Sequence, residues 1–78
     1  MAVITDVHRE GKMELFTVTD GPEHYRVAVM VDLRCDGIKI PIVNGVEDRS
    51  LSCLIDIHQI KRLRDSIKVD KNVDNSVH

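Results

Sequence analysis

One alternation of side-chain character, running from Tyr25 to Val43, constrains this chain more than any other feature. In Tyr25-Arg26-Val27-Ala28-Val29-Met30-Val31-Asp32-Leu33-Arg34-Cys35 every odd position is apolar or aromatic, and the even positions are mostly polar or small. That is the period-2 pattern of a half-buried strand. Asp36-Gly37 follows, a pair suited to a type I′ turn, whose central positions both need positive φ. Ile38-Lys39-Ile40-Pro41-Ile42-Val43 then runs back. A tight turn sets Cys35 opposite Ile38, Leu33 opposite Ile40 and Val31 opposite Ile42, an apolar pair each time. The other face of this expected hairpin carries Arg34 beside Lys39 and Asp32 beside Pro41.

The flanking segments extend the sheet. Residues 1–8 and 12–19 read as a first hairpin around Arg9-Glu10-Gly11, with glycine suited to a G1 bulge. A three-residue loop sets Val7 opposite Met13 and Ile4 opposite Phe16; a two-residue loop shifts these pairs and inverts one strand's faces. Asp20-Gly21-Pro22-Glu23 is a turn by composition. Asn44-Gly45 is a second hairpin signal, but Pro41 complicates it. In that hairpin Pro41 would donate an N–H to Asp48, and it has none to give. The ladder is therefore expected to stop or bulge there.

Residues 49–55 read as a fifth strand with Leu51, Cys53 and Ile55 on one face, followed by a helix. Asp56 is a helix N-cap, Gln59 completes a capping box, and Ile57, Ile60, Leu63 and Ile67 make an apolar stripe. A single helix across 47–67 is the competing reading. Residues 68–78 lack periodicity and are expected to form a flexible tail beyond one domain at 1–67. The fold expected is α+β and mainly β: a four- or five-stranded antiparallel sheet with one C-terminal α-helix packed on one face.

A chain of 78 residues buries only about 60–65% of its unfolded surface, so its stability amounts to a few kcal/mol unless something reinforces it. Two cysteines permit at most one bridge, and the N-terminus meets a charge at Asp6 before any secretory apolar run. The longest unbroken apolar run, 27–31, is far too short for a membrane helix. A cytoplasmic setting with free thiols is expected, which leaves association with a partner as the reinforcement. Net charge is −2, with acids and bases mixed, so nothing draws the chain to nucleic acid or a membrane surface. Phe16 and Tyr25 are the only aromatics, so the core is aliphatic.

The residues able to bind metal are His8, His24, His58, Cys35 and Cys53. Structural zinc needs four ligands, usually in two closely spaced pairs, and no such spacing occurs. The cysteines read as small buried hydrophobes. Cys53 with His58 is conceivable as a nucleophile and base, but Cys53 alternates with apolar Leu51 and Ile55, and no acid is placed to orient His58. No catalytic residue, metal or cofactor is assigned.

Two interaction surfaces are expected. Ala28, Met30 and Val43 form an apolar patch on the side of the sheet away from Val27, with Arg34 and Lys39 at its rim. A closed barrel would bury that patch; an open sheet would leave it for a partner. Lys61, Arg64 and Lys68 lie along one helix edge and suit phosphate contact, but Asp56 and Asp65 share the helix, and a solvated face following the helix dipole is the preferred reading. The function expected is that of a non-enzymatic protein-binding module, a small inhibitor or accessory protein acting through its sheet as a homo-oligomer or on a larger protein. Small proteins of phages and other mobile elements share this size and composition, an analogy that involves no motif. The alternative is a nucleic-acid-associated regulator using the basic helix edge.

Overall fold

In the computed structural model, which describes residues 2–66, the chain forms an antiparallel sheet of six strands and one helix. The strands are β1 (Ala2–Glu10), β2 (Met13–Asp20), β3 (Glu23–Met30), β4 (Gly37–Val43), β5 (Val46–Glu47) and β6 (Cys53–Ile55). A 3₁₀ turn occupies Arg49–Leu51, and helix α1 covers 57–66 within the described residues. The first five strands lie side by side in chain order, and β6 also pairs with β4. The outer edge of β4 is thus shared: β6 takes Gly37 to Lys39, and β5 takes Ile42 and Val43. This is the expected α+β, mainly β architecture, with an open sheet. The expected tail at 68–78 lies outside the described residues.

Side-chain parity builds the core. Phe16 and Val18 of β2 stand beside Val27 and Tyr25 of β3, and Val29 extends the same face. All five are buried, together with Ile55 from β6 and Ile60 and Leu63 from α1. The helix covers this face because its apolar stripe falls at that spacing. Its N-terminus is held twice. Asp56 Oδ1 accepts the His58 N–H at 2.6 Å, and Asp36 Oδ1 accepts the Ile57 N–H at 3.0 Å.

That second cap changes the reading of Asp36-Gly37. β3 stops at Met30, and β4 pairs with it as Ala28 to Ile38, Val27 to Lys39, Arg26 to Ile40 and Tyr25 to Pro41. The connection is residues 31–36, not a two-residue turn. Gly37 is buried, and a Cβ there would lie 2.7 Å from the Ala28 carbonyl oxygen and 2.9 Å from Ile60 Cδ1. The glycine lets the helix settle onto the sheet, and the aspartate caps that helix. Leu33 takes a left-handed φ of 55° and packs against the core, which accounts for its apolar character without a strand.

The first hairpin has the shorter loop. Glu10 pairs with Met13 and His8 with Leu15, and the register shifts between Ile4 and Asp6. Thr5 is the extra residue of this bulge, its hydroxyl donating to the Thr17 carbonyl at 3.3 Å. At Asn44-Gly45 both φ values are positive, 53° and 80°, as a type I′ turn demands. The ladder then ends at Pro41. Asp48 N–H donates to the Pro41 oxygen at 2.8 Å, but the reciprocal bond has no donor. Asp48 Oδ1 instead accepts from Ser50 N–H at 3.1 Å, opening the 3₁₀ turn. Leu51 consequently sits in that turn, exposed, rather than in a strand.

Candidate functional site

Opposite the helix, the sheet has a second face that no described element covers. Cross-strand pairing assigns its residues: His8 pairs with Leu15, Leu15 with Ala28, Ala28 with Ile38, and Ile38 with Leu54. Directly paired residues project to the same side, so these five form one row across β1, β2, β3, β4 and β6. Four of the five are apolar. Met13 and Met30 pair in the next row, and Thr17, Arg26 and Ile40 stand in the row on the other side. Ile38 is 45% exposed and Leu54 75%; Leu15, Ala28, Met30 and Ile40 are half-buried by neighbours in the sheet itself. These side chains form a contiguous, mostly apolar patch.

Charge on this face lies beside the apolar row rather than within it. From β3, the central strand, Arg26 reaches across β4 to Glu47 of β5, its Nε 2.9 Å from Oε1, and Arg49 Nε lies 4.0 Å from Glu47 Oε2. On the β1 side Asp6 is exposed, and His8 Nε2 lies 3.2 Å from Glu10 Oε1.

The register divides the interface residues expected from sequence. Ala28 and Met30 lie on the open face. Val43 does not, because β4 pairs with β3 seven residues out of the expected phase, an odd shift that exchanges its faces. Val43 therefore shares the helix side with Lys39 and Pro41. Lys39 Nζ stands 4.4 Å from the centroid of the Tyr25 ring and 3.9 Å from Glu23, and Arg34 lies in the exposed 31–36 connection. Their places on the open face are taken by Ile38, Ile40 and Leu54. Ile38 and Ile40 lie within the alternating stretch, where only the register was missing; Leu54 lies outside it, in the segment read as a fifth strand, and joins the row through its pairing with Ile38.

The basic helix edge is also divided. Arg64 Nη2 lies 3.3 Å from Glu14 Oε1, and Arg9 Nη2 lies 3.2 Å from Glu14 Oε2. The Glu14 side chain is only 6% exposed, so the two arginines close over a buried carboxylate and pin the helix to β2. Lys61 remains exposed, and Lys68 lies outside the described residues.

Cys35 and Cys53 are free and exposed, contrary to the buried reading, because Cys35 belongs to a loop and Cys53 to a three-residue edge strand. His58 is exposed too. Among the described residues no group of three or more His, Cys, Asp or Glu side chains is placed to hold a metal, and no helix is long and apolar enough to cross a membrane. A cleft of about 500 Å³ lies between α1 and the sheet, with Tyr25, Lys39, Cys53, Gln59 and Arg62 on its walls. Burial, and then the charges of Asp20 and Glu23, push the Tyr25 phenol above its ordinary value. No family model, curated protein or solved structure matches the chain.

Proposed function

We propose that the protein is a non-enzymatic binding module of the cytosol, an accessory or inhibitory protein whose open sheet face docks on protein. The observation that carries this reading is the row Leu15, Ala28, Ile38 and Leu54, four apolar side chains in register across four strands with no charge among them. A sheet with two apolar faces and one helix lacks a layer. The row and the Met13–Met30 pair next to it have the composition of an interface centre, apolar and methionine-bearing, with Arg26 and its partner Glu47 beside the row. The nucleic-acid reading is weaker, since Arg64 is engaged by Glu14 and no aromatic side chain stands on the open face for base stacking.

The test compares the wild-type chain with Ile38→Glu, which sets a charge at the centre of the row. Both are immobilised, challenged with extract from the source cells, and weighed in solution by light scattering. The reading expects an association, with itself or another protein, that Ile38→Glu abolishes while the circular dichroism spectrum stays unchanged. Associations that survive the substitution intact would overturn it.

A further inference from the structure

We propose that the cleft between α1 and the sheet binds a small monocarboxylate with an apolar body, its carboxylate on Arg62 and a neutral polar group on the Tyr25 hydroxyl. The cleft is on the helix side of the sheet, so this site stands or falls apart from the docking role of the open face. Size and lining support it first. At about 500 Å³ the cleft falls within the ~300–1,000 Å³ of small-molecule sites, which are mostly apolar with a few convergent polar groups. Buried Ile55 and Leu63 and the Tyr25 ring supply apolar walls. Tyr25 is 6% exposed, and its hydroxyl makes no hydrogen bond among the described residues. A phenol held this deep ordinarily has a partner, and a ligand oxygen in the cleft would be one.

Charge then selects the ligand. Gln59, Arg62 and Ser66 follow one another at helical spacing and form the α1 wall of the cleft. The Arg62 guanidinium makes no ion pair among the described residues. Lys39, the other cation of the cleft, is already engaged, 4.4 Å from the centroid of the Tyr25 ring and 3.9 Å from Glu23 Oε2. One uncommitted positive charge balances a carboxylate and falls short of a phosphate dianion. The planar arginine fork also matches both carboxylate oxygens. On the sheet wall, Asp20 and Glu23 act on Tyr25, so an anionic group is turned away from the phenol. Those charges and its burial keep the phenol protonated, a donor to a hydroxyl or carbonyl oxygen. The two walls therefore differ in the group they accept, which orients the ligand across the cleft.

The test is an amide-shift titration of the ¹⁵N-labelled full chain, in reductant, with 4-hydroxyphenylacetate. A dissociation constant on the order of 1 mM is expected for a fragment of this size. The shifts are expected at Cys53, Gln59 and Arg62 and not at Leu15 or Ala28 of the open face. Replacing the carboxylate by a primary amide, or Arg62→Gln, is expected to weaken binding about tenfold. Lys61→Gln removes the same charge from an exposed position outside the cleft and is expected to leave binding unchanged. Tyr25→Phe is expected to weaken 4-hydroxyphenylacetate severalfold and phenylacetate, which lacks the hydroxyl, not at all. Retained phenylacetate binding shows that the variant is folded. Phenyl phosphate is expected to bind no tighter than the carboxylate.

Absence of saturable shifts at concentrations well above that constant would overturn the site. Equal losses in Arg62→Gln and Lys61→Gln would overturn it too, since the probe would then answer only to overall charge. Equal losses of both probes in Tyr25→Phe would remove the phenol from ligand recognition, and tighter binding of phenyl phosphate would overturn the choice of a monocarboxylate.

Discussion

Gly37 offers the sharpest check on the way α1 meets the sheet. A methyl group there would sit 2.7 Å from the Ala28 carbonyl oxygen, 2.9 Å from Ile60 Cδ1 and 3.3 Å from Val29 Cβ. The Ile60 terminus can rotate aside. The carbonyl belongs to a paired strand and yields only if β3, β4 or the helix shifts by several tenths of an ångström. Overpacking of this kind costs about 1–3 kcal/mol. Against it, Gly→Ala stiffens the unfolded chain and returns about 0.4–1 kcal/mol. The net loss expected for Gly37→Ala is therefore about 1–2 kcal/mol, which in a domain this small lowers Tm by about 5–15 °C. Gly37→Asn separates this account from a turn. In a type I′ turn Gly37 would hold positive φ in solvent, where asparagine is the residue best tolerated after glycine. In the packed site asparagine is larger still and buries an amide, an added ~1–3 kcal/mol if it finds no partner. Melts and urea titrations should rank the variants wild type, Ala, Asn in falling stability, with Ile60→Val partly relieving Gly37→Ala. An Asn variant at least as stable as the Ala variant would refute the packing role.

Glu14→Gln should cost about 1–2 kcal/mol, since Arg9 and Arg64 lose a charged acceptor but retain access to water; an unchanged urea midpoint would argue against the clamp. Arg64→Glu should lower Tm while Lys61→Glu leaves it within a degree or two, because only the former opposes Glu14; equal effects would contradict the division of that helix edge. Asp36→Ala removes the acceptor of the Ile57 N–H and should cost about 1 kcal/mol, visible as lost hydrogen-exchange protection in the first turn of α1. Tyr25 is the sole tyrosine and there is no tryptophan, so phenolate absorbance reports its titration alone. Its folded value is raised, so the stability it contributes is whole below the unfolded value near 10 and is lost as pH rises through the folded one. A native midpoint at or below that in urea would contradict the burial of this phenol.

Local chemistry was legible in the sequence wherever it decided the outcome alone. Asn44-Gly45 takes the turn its residues demand, Asp56 caps the helix, Ile60 and Leu63 point inward, and Pro41 ends the ladder at the bond it cannot donate. Where two uses of the same residues competed, the reading failed. Asp36-Gly37 has the composition of a hairpin turn and serves instead to cap and admit a helix that follows it by some twenty residues. Leu33 fits a strand pattern, yet it holds a left-handed backbone in a loop, its side chain packed on the core. Each mistake was local, but an odd shift in pairing turns a whole strand over. It moved Ile38 and Ile40 onto the open face and Val43 off it. That the sheet has two apolar faces followed from composition and parity; that the second stays uncovered, and which residues line it, needed the strand order and register.

The irregularity at Thr5 bears on how such a molecule avoids polymerising. β1 is the longest strand, and one of its long edges is unpaired among the described residues, which exposes a template for strand addition by identical chains. Thr5 interrupts the regular spacing of that edge's amides and carbonyls, and Asp6, Arg9 and Glu10 add charges that a flat neighbouring strand would have to accommodate. Growth along the hydrogen-bonding direction is thereby discouraged, and stacking in the perpendicular direction is left open.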